Sequence, residues 1–186
     1  MHDHDRETIR EERELIRRAK EYDPSAFAEI YERHYKGIYN YLYYRVGDAR
    51  VAEDLASEVF LKALESIRGF TFRGIRLSSW LYRIAKNVVT DYYRLQPSQA
   101  DMPLEEGLIA AEGSPGEALE EGLTQGRLQR ALQGLTDEQR QVVILKFIEG
   151  LSNTEVAQIM GKSEGAIKSL QHRALAALGR LLEGEG

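Results

Sequence analysis

The chain contains no cysteine, which excludes a disulfide, a thiol nucleophile, a thiolate zinc site and any redox switch internal to the chain. It has no apolar run near the roughly 20 residues that a membrane-spanning helix requires. Its opening residues, Met1-His2-Asp3-His4-Asp5, lack the basic-then-apolar order of a secretory signal, so a cytoplasmic protein is expected. Histidine is scarce, and no His/Asp/Glu grouping has ligand or triad spacing, which leaves a nucleic-acid enzyme without support. His2, Asp3, His4 and Asp5 are ligand types in a row, yet a solvated terminus is the plainer reading; no metal, cofactor or catalytic residue is expected. An excess of basic charge is missing too. A formal charge of -5 argues against a protein that coats nucleic acid unaided, because non-specific affinity comes from phosphate neutralisation.

Proline is sparse and unevenly placed: three of the four, Pro97, Pro103 and Pro115, fall in one stretch. Residues 97–125 also carry seven acids and no base, whereas 24–96 and 126–186 are mildly basic. That stretch reads as a flexible acidic linker between two blocks, with a charged N-terminal extension over 1–23. At 186 residues and 42% hydrophobic content the chain can form two small cores, and every periodic segment has helical spacing, so the fold class is all-α.

Glu7 to Tyr22 shows a thin apolar stripe of Ile9, Leu15, Ile16 and Ala19, a helix docked on the surface. Asp23-Pro24 is a cap followed by proline in the first turn, opening a long helix with Phe27, Ile30, Tyr31, His34, Ile38 and Leu42 inward. Its tyrosines at 31, 35, 39, 41, 43 and 44 are spread around it and read as packing residues. From Ala49 to Arg68, Ala52, Leu55, Ala56, Val59, Ala63 and Ile67 point inward, leaving Asp54, Ser57, Glu58 and Leu61 on an acidic face that, with apolar Leu61 and Phe60 beside it, is more than solvation requires, although periodicity alone favours a plain charged exposed face. A loop over Gly69 to Ser79 contains Phe70, Phe72, Arg73 and Arg76, side chains suited to unstacked bases and phosphate, and equally to an ordinary loop that tucks its two phenylalanines into the core. Ser78 or Ser79 is expected to cap the next helix, Trp80 to Arg94. Gly126 to Gly134 is a weakly patterned helix, and Thr136 with Gln139 forms a capping box for a helix that Gly150 stops.

The C-terminal stretch reads as a helix-turn-helix. Ser152 and Glu155 form a second capping box, Gly161 permits the left-handed turn, and Ser163 caps a second helix. Ile167, Leu170, Ala174, Leu178 and Leu181 face inward, leaving Ser163, Glu164, Lys168, Ser169, His172 and Arg173 for a major groove. Taken alone this pattern also fits plain helical packing.

Three segments in order, Ala52 to Ala63, Trp80 to Asn87 with Asp91 and Arg94, and Gly150 to Ala174, together resemble the bacterial extracytoplasmic-function sigma factors of the sigma-70 family. The resemblance covers nearly everything from Asp23 to Leu182. It implies a region 2 bundle over 24–96 and a region 4 helix-turn-helix over 126–186, acting without enzymatic chemistry. It further implies that Asp54, Ser57, Glu58, Phe60 and Leu61 grip the beta-prime coiled coil of core RNA polymerase, with the beta flap as a further contact. Phe72, Arg73, Arg76, Ser78, Ser79, Trp80, Arg83, Lys86 and Asn87 would melt and hold the minus-ten element. Ser163, Lys168, Ser169, His172 and Arg173 would read the minus-35 element. An anti-sigma factor is the remaining implied partner.

The chain departs from the family pattern where Thr136 replaces a frequent proline, where Leu170 and Leu175 replace frequent arginines, and in a shorter loop over 73–80, whose base-selecting residue stays open. Promoter elements two helical turns apart lie ~70 Å from each other. Residues 97–125 span about 95 Å extended and about 30 Å relaxed, so core polymerase would have to hold the linker out. A one-component regulator that binds a symmetric operator as a dimer, and a purely structural helical scaffold, are the competing readings. The first leaves Asp54 to Leu61 and Trp80 unexplained, and the second is weakened by the three ordered motifs.

Overall fold

The computed structural model describes residues 3–96 and 115–184, with the backbone alone for residues 3 and 115–123. The remainder of the expected linker, 97–114, lies outside the described residues. Helix α1 spans Asp3–Lys20, α2 Pro24–Val46, α3 Ala49–Ser66 and α4 Leu77–Leu95, with one 3-10 turn at Ile67–Gly69. Then come α5, Pro115–Gln133, α6, Asp137–Val143, a π turn at Ile144–Ile148, α7, Asn153–Met160, and α8, Glu164–Glu183. There is no strand among the described residues, and the helices form two domains.

In the first domain Asp23 starts α2. Its carboxylate accepts from the Ser25 amide at 3.0 Å and the Ser25 hydroxyl at 2.8 Å. These bonds, with the Arg18 guanidinium alongside, hold its pKa down at about 2. Asp48 starts α3 in the same way, accepting from the Arg50 and Val51 amides. Ile30, Ile38 and Leu42 of α2 meet Leu55, Ala56 and Val59 of α3 and Leu81, Ala85 and Val88 of α4 in one buried core. Each large aliphatic side chain so buried contributes about 1.5–3 kcal/mol. Leu15, Ile16 and Ala19 dock α1 on that bundle as expected, and Glu12 is buried beside them. The tyrosines are more ordered than an even spread: Tyr31, Tyr35, Tyr39 and Tyr43, one turn apart, form a row with ring centroids 5.0, 6.0 and 6.2 Å apart.

In the second domain the Thr136–Gln139 box opens α6 and the Ser152–Glu155 box opens α7. Arg140 donates to the carbonyls of Leu132, Gln133 and Leu135, satisfying acceptors that the end of α5 would otherwise leave free. Helix α5 begins at Pro115, eleven residues before the expected start at Gly126. Read as breakers, the glycines hid the proline-led first turn and the helix formers Glu117, Ala118 and Leu119. A single helix was expected from Thr136 to Gly150; the backbone instead widens into the π turn, where the Glu149 amide bonds the Ile144 carbonyl at 2.9 Å.

The two domains pack against each other. Arg45, 1% exposed at the end of α2, donates to the Tyr41 hydroxyl at 2.6 Å and to Asp137 at 2.9 Å. Tyr82 on α4 donates to the Glu149 carboxylate at 2.9 Å. Arg83 donates to the Gln158 carbonyl near the end of α7 at 2.8 Å, and the Gln158 amide returns a bond to the Gly74 carbonyl at 3.1 Å. Within the first domain, Tyr93 donates to the Arg45 carbonyl at 2.7 Å.

Candidate nucleic-acid and polymerase interfaces

The first candidate face lies on α3. Asp54, Ser57, Glu58 and Leu61 are all exposed, Leu61 by 55%. Glu58 lies 3.6 Å from Lys62 one turn on, an exposed pair of little energetic weight. Phe60 does not belong with them. It is buried, its ring 4.9 Å from Tyr31, because its position falls on the inward side of the helix. Tyr31, 42% exposed, is the apolar surface residue beside it that periodicity assigned to packing.

The second face is built around the loop from Phe70 to Arg76. Phe70 is buried with its ring 4.9 Å from that of half-buried Trp80, so the two brace each other. Phe72 is half-buried beneath the Arg13 guanidinium, 5.0 Å from the ring centroid. Arg73 and Asn87 are exposed, and Ser78 and Lys86 half-buried. Ser79 is 1% exposed and cannot reach a strand.

Neither serine caps the helix. Helix α4 starts at Leu77, with Arg76 in the cap position making no side-chain cap bond, so Ser78 and Ser79 already lie inside the first turn. Glu12 supplies the missing acceptor: one carboxylate oxygen takes the Leu77 amide at 2.8 Å, the other Arg76 at 3.1 and 3.3 Å. Arg83 is spent on the Gln158 carbonyl. Thus Glu12, Arg13 and Gln158 shape this face, and all three lie outside the segment that named it. Glu12 was detectable as the one carboxylate on the buried stripe of α1, one turn before Leu15 and Ile16; Gln158 carries no comparable signal.

The third face is on α8. Ile167, Leu170 and Ala174 are buried, while Ser163, Lys168, Ser169, His172 and Arg173 are exposed. Ser163 is occupied as the cap, its hydroxyl accepting from the Ala166 amide at 3.2 Å. Gln171 donates to Asn153 at 2.6 Å and Thr154 to Glu164 at 2.8 Å, locking α7 and α8 in register. Gly161 makes the turn at φ 66°, where a β-carbon would be strained. Leu170 is a core residue in this setting, whereas Leu175 is 45% exposed, so of the two only Leu175 lies on the outer surface.

Among the described residues no cluster of His, Cys, Asp or Glu could hold a metal ion, and no helix is long and apolar enough to cross a membrane. The family model for Sigma-70 region 2 matches residues 30–97, and that for Sigma-70 region 4 matches 125–178. The ECF RNA polymerase sigma factor BldN of Streptomyces coelicolor is 42% identical over 91% of this chain. The chain spans 65% of BldN's length. The ECF RNA polymerase sigma factor SigW of Bacillus subtilis is 33% identical over 90% of this chain and 94% of its own.

Two solved structures share the fold. CnrH, in complex with the cytosolic domain of CnrY, superposes with a TM-score of 0.75 at 23% identity, covering 94% of this chain and 99% of CnrH. The sigma factor RpoE of Bartonella quintana, in complex with the anti-sigma factor NepR, gives 0.68 at 25% identity, covering 84% and 96%. With both regions matched in order on the two helical domains, the chain belongs to the extracytoplasmic-function group of RNA polymerase sigma factors, which are transcription-initiation proteins and not enzymes.

Proposed function

We propose that the chain binds core RNA polymerase, reads minus-35 and minus-ten promoter elements with its two domains, and separates the strands at the second. The observation that carries this reading is the coexistence of three outward faces on two domains: acidic-apolar on α3, aromatic-basic at the α4 loop, and polar-basic on α8. A dimeric operator-binding regulator needs only the third. The domains are taken as 24–96 and 126–186, with 1–23 as an extension and 97–125 as an acidic linker whose last part, from Pro115, already forms the first turns of α5.

Asp54, Ser57, Glu58 and Leu61 form the polymerase contact, with Phe60 supporting them from beneath. Phe72, Arg73, Arg76, Ser78, Trp80, Lys86 and Asn87 engage the minus-ten strand, and Lys168, Ser169, His172 and Arg173 the minus-35 duplex. No covalent step is involved. Unpairing a few bases costs a few kcal/mol, and stacking on loop aromatics returns about 1–3 kcal/mol per base. The acidic linker follows the basic channel of the polymerase as a nucleic-acid mimic. The protein works in the cytoplasm, where its polymerase is, and an anti-sigma factor is its further partner, as NepR is of RpoE in the Bartonella complex.

The packed arrangement is a resting state. Its α7 covers the Gly74 carbonyl and takes up Arg83, and domains in contact cannot occupy elements ~70 Å apart. Opening therefore precedes promoter binding and frees Arg83 for the minus-ten strand. Transcription reconstituted with purified core polymerase and a promoter library tests the reading. Core-dependent initiation from a defined promoter class is expected; binding to a symmetric operator with no initiation would refute it.

A further inference from the structure

A helix start ordinarily finds its acceptor locally, in a Ser, Thr, Asp or Asn at the cap position. Helix α4 does not. Its cap is Arg76, and the Leu77 amide is satisfied by Glu12, 65 residues earlier in the chain, at 2.8 Å. The same carboxylate holds the Arg76 guanidinium at 3.1 and 3.3 Å. Glu12 is 8% exposed, and its charge is compensated by that guanidinium and by the amide-rich helix start it faces.

Helix α1 grips the same loop at two other points. The residue after Glu12, Arg13, lies over the Phe72 ring at 5.0 Å. Ahead of the loop, Arg68 donates to the Lys20 carbonyl at 3.3 Å and lies 4.4 Å over the Tyr22 ring. The loop is thus fixed before its start, at its middle and at its end by α1 and by Tyr22 just beyond it, all of which lie before the matched region 2 segment at 30–97. A serine cap would start α4 equally well without tying the loop to anything.

We propose that Glu12 is a positioning residue for minus-ten strand capture, and that α1 holds the Phe70–Arg76 loop in the shape that receives an unpaired base. This rests on the assignment of that loop to the minus-ten element. Without Glu12 the Leu77 amide and Arg76 lose their common anchor. The loop then samples other shapes, and the strand must bear the cost of ordering it.

The test uses full-length protein with core polymerase and a promoter taken from the library selection. Three quantities are measured: core affinity, binding to a minus-35 duplex, and capture of a minus-ten strand carrying 2-aminopurine. Glu12→Ala is expected to lower strand capture by about tenfold or more, the scale of losing hydrogen bonds to a charged group, with the other two within about twofold. Glu12→Gln keeps an acceptor for the Leu77 amide but not the anion for Arg76, and is expected to fall in between. If Glu12→Ala does not fold, Glu12→Gln decides alone: reduced capture with intact minus-35 binding supports the proposal, and unchanged capture overturns it. Equal loss of all three quantities also overturns it, since that reports folding only. Trp80→Ala is the control. If it leaves strand capture intact, the loop assignment itself fails; if it impairs capture while the Glu12 variants do not, only the present inference fails.

Discussion

Replacing Gly37 by alanine should loosen the seam between the two domains. Gly37 lies inside α2 where Tyr82 and Glu149 meet. A β-carbon built there falls 2.5 Å from the Tyr82 hydroxyl oxygen and 3.1 Å from a Glu149 carboxylate oxygen. Real contacts of this kind need nearly an ångström more than the first of these distances, and the tyrosine tip can give way only by leaving its 2.9 Å bond to Glu149. A hydrogen bond to a charged group is worth about 1.5–3 kcal/mol, so the closed-to-open ratio should fall by about 10- to 100-fold. Alanine also gains ~1 kcal/mol over glycine in a helix interior. That gain is present in both the closed and open states and cancels from their ratio.

The chain has no native cysteine, so a label pair at exposed Glu65→Cys and Ala176→Cys reports the interdomain distance cleanly by resonance energy transfer. The expected result is a shift to longer distances, with some loss of thermal stability in the first domain because Tyr82 packs on Tyr41 in its core. An unchanged distance distribution in Gly37→Ala would refute the reasoning, because it would mean that the Tyr82–Glu149 bond does not hold the seam.

Three further outcomes follow from the same geometry. Ser152→Ala removes one half of the capping box on α7 and should cost about 1 kcal/mol, read as a lower melting temperature of the second domain, while Ser152→Asn should recover most of it. Burial holds the Glu149 carboxyl above its ordinary range, so the closed form binds the proton more tightly than the open one. Closure should therefore strengthen as pH falls through the raised value toward the ordinary one, as followed with the same label pair, and Glu149→Gln should abolish the dependence. Arg173→Ala should weaken binding to a minus-35 duplex and reduce its salt dependence, leaving core affinity unchanged in a direct binding assay.

The helices and their caps were legible because each is encoded within a few residues. The Asp23-Pro24 start, the Thr136 and Ser152 boxes and the Gly161 turn all stand where the sequence places them. The outward side of α8 was legible for a similar reason, since Ile167, Leu170 and Ala174 fix which side is buried. What escaped was set by partners distant in sequence. Ser79 looks like a cap in sequence, yet the acceptor comes from Glu12, which moves the start of α4 back to Leu77 and buries Ser79. Arg83 reads as a free base, yet the Gln158 carbonyl that takes it belongs to the other domain. Phe60 sits next to outward Leu61, but one residue along a helix turns a side chain by a large angle, and the ring goes to the tyrosine row. Local periodicity carries no information about such long-range pairings.

Two DNA-reading heads deployed by a polymerase should be visible in footprints of a selected promoter taken with and without core enzyme. Two protected segments about two helical turns apart are expected, with unpaired bases reactive to permanganate within the downstream one, and all of this only when core polymerase is present. A single symmetric footprint formed by the chain alone, with no reactive bases after core enzyme is added, would contradict this.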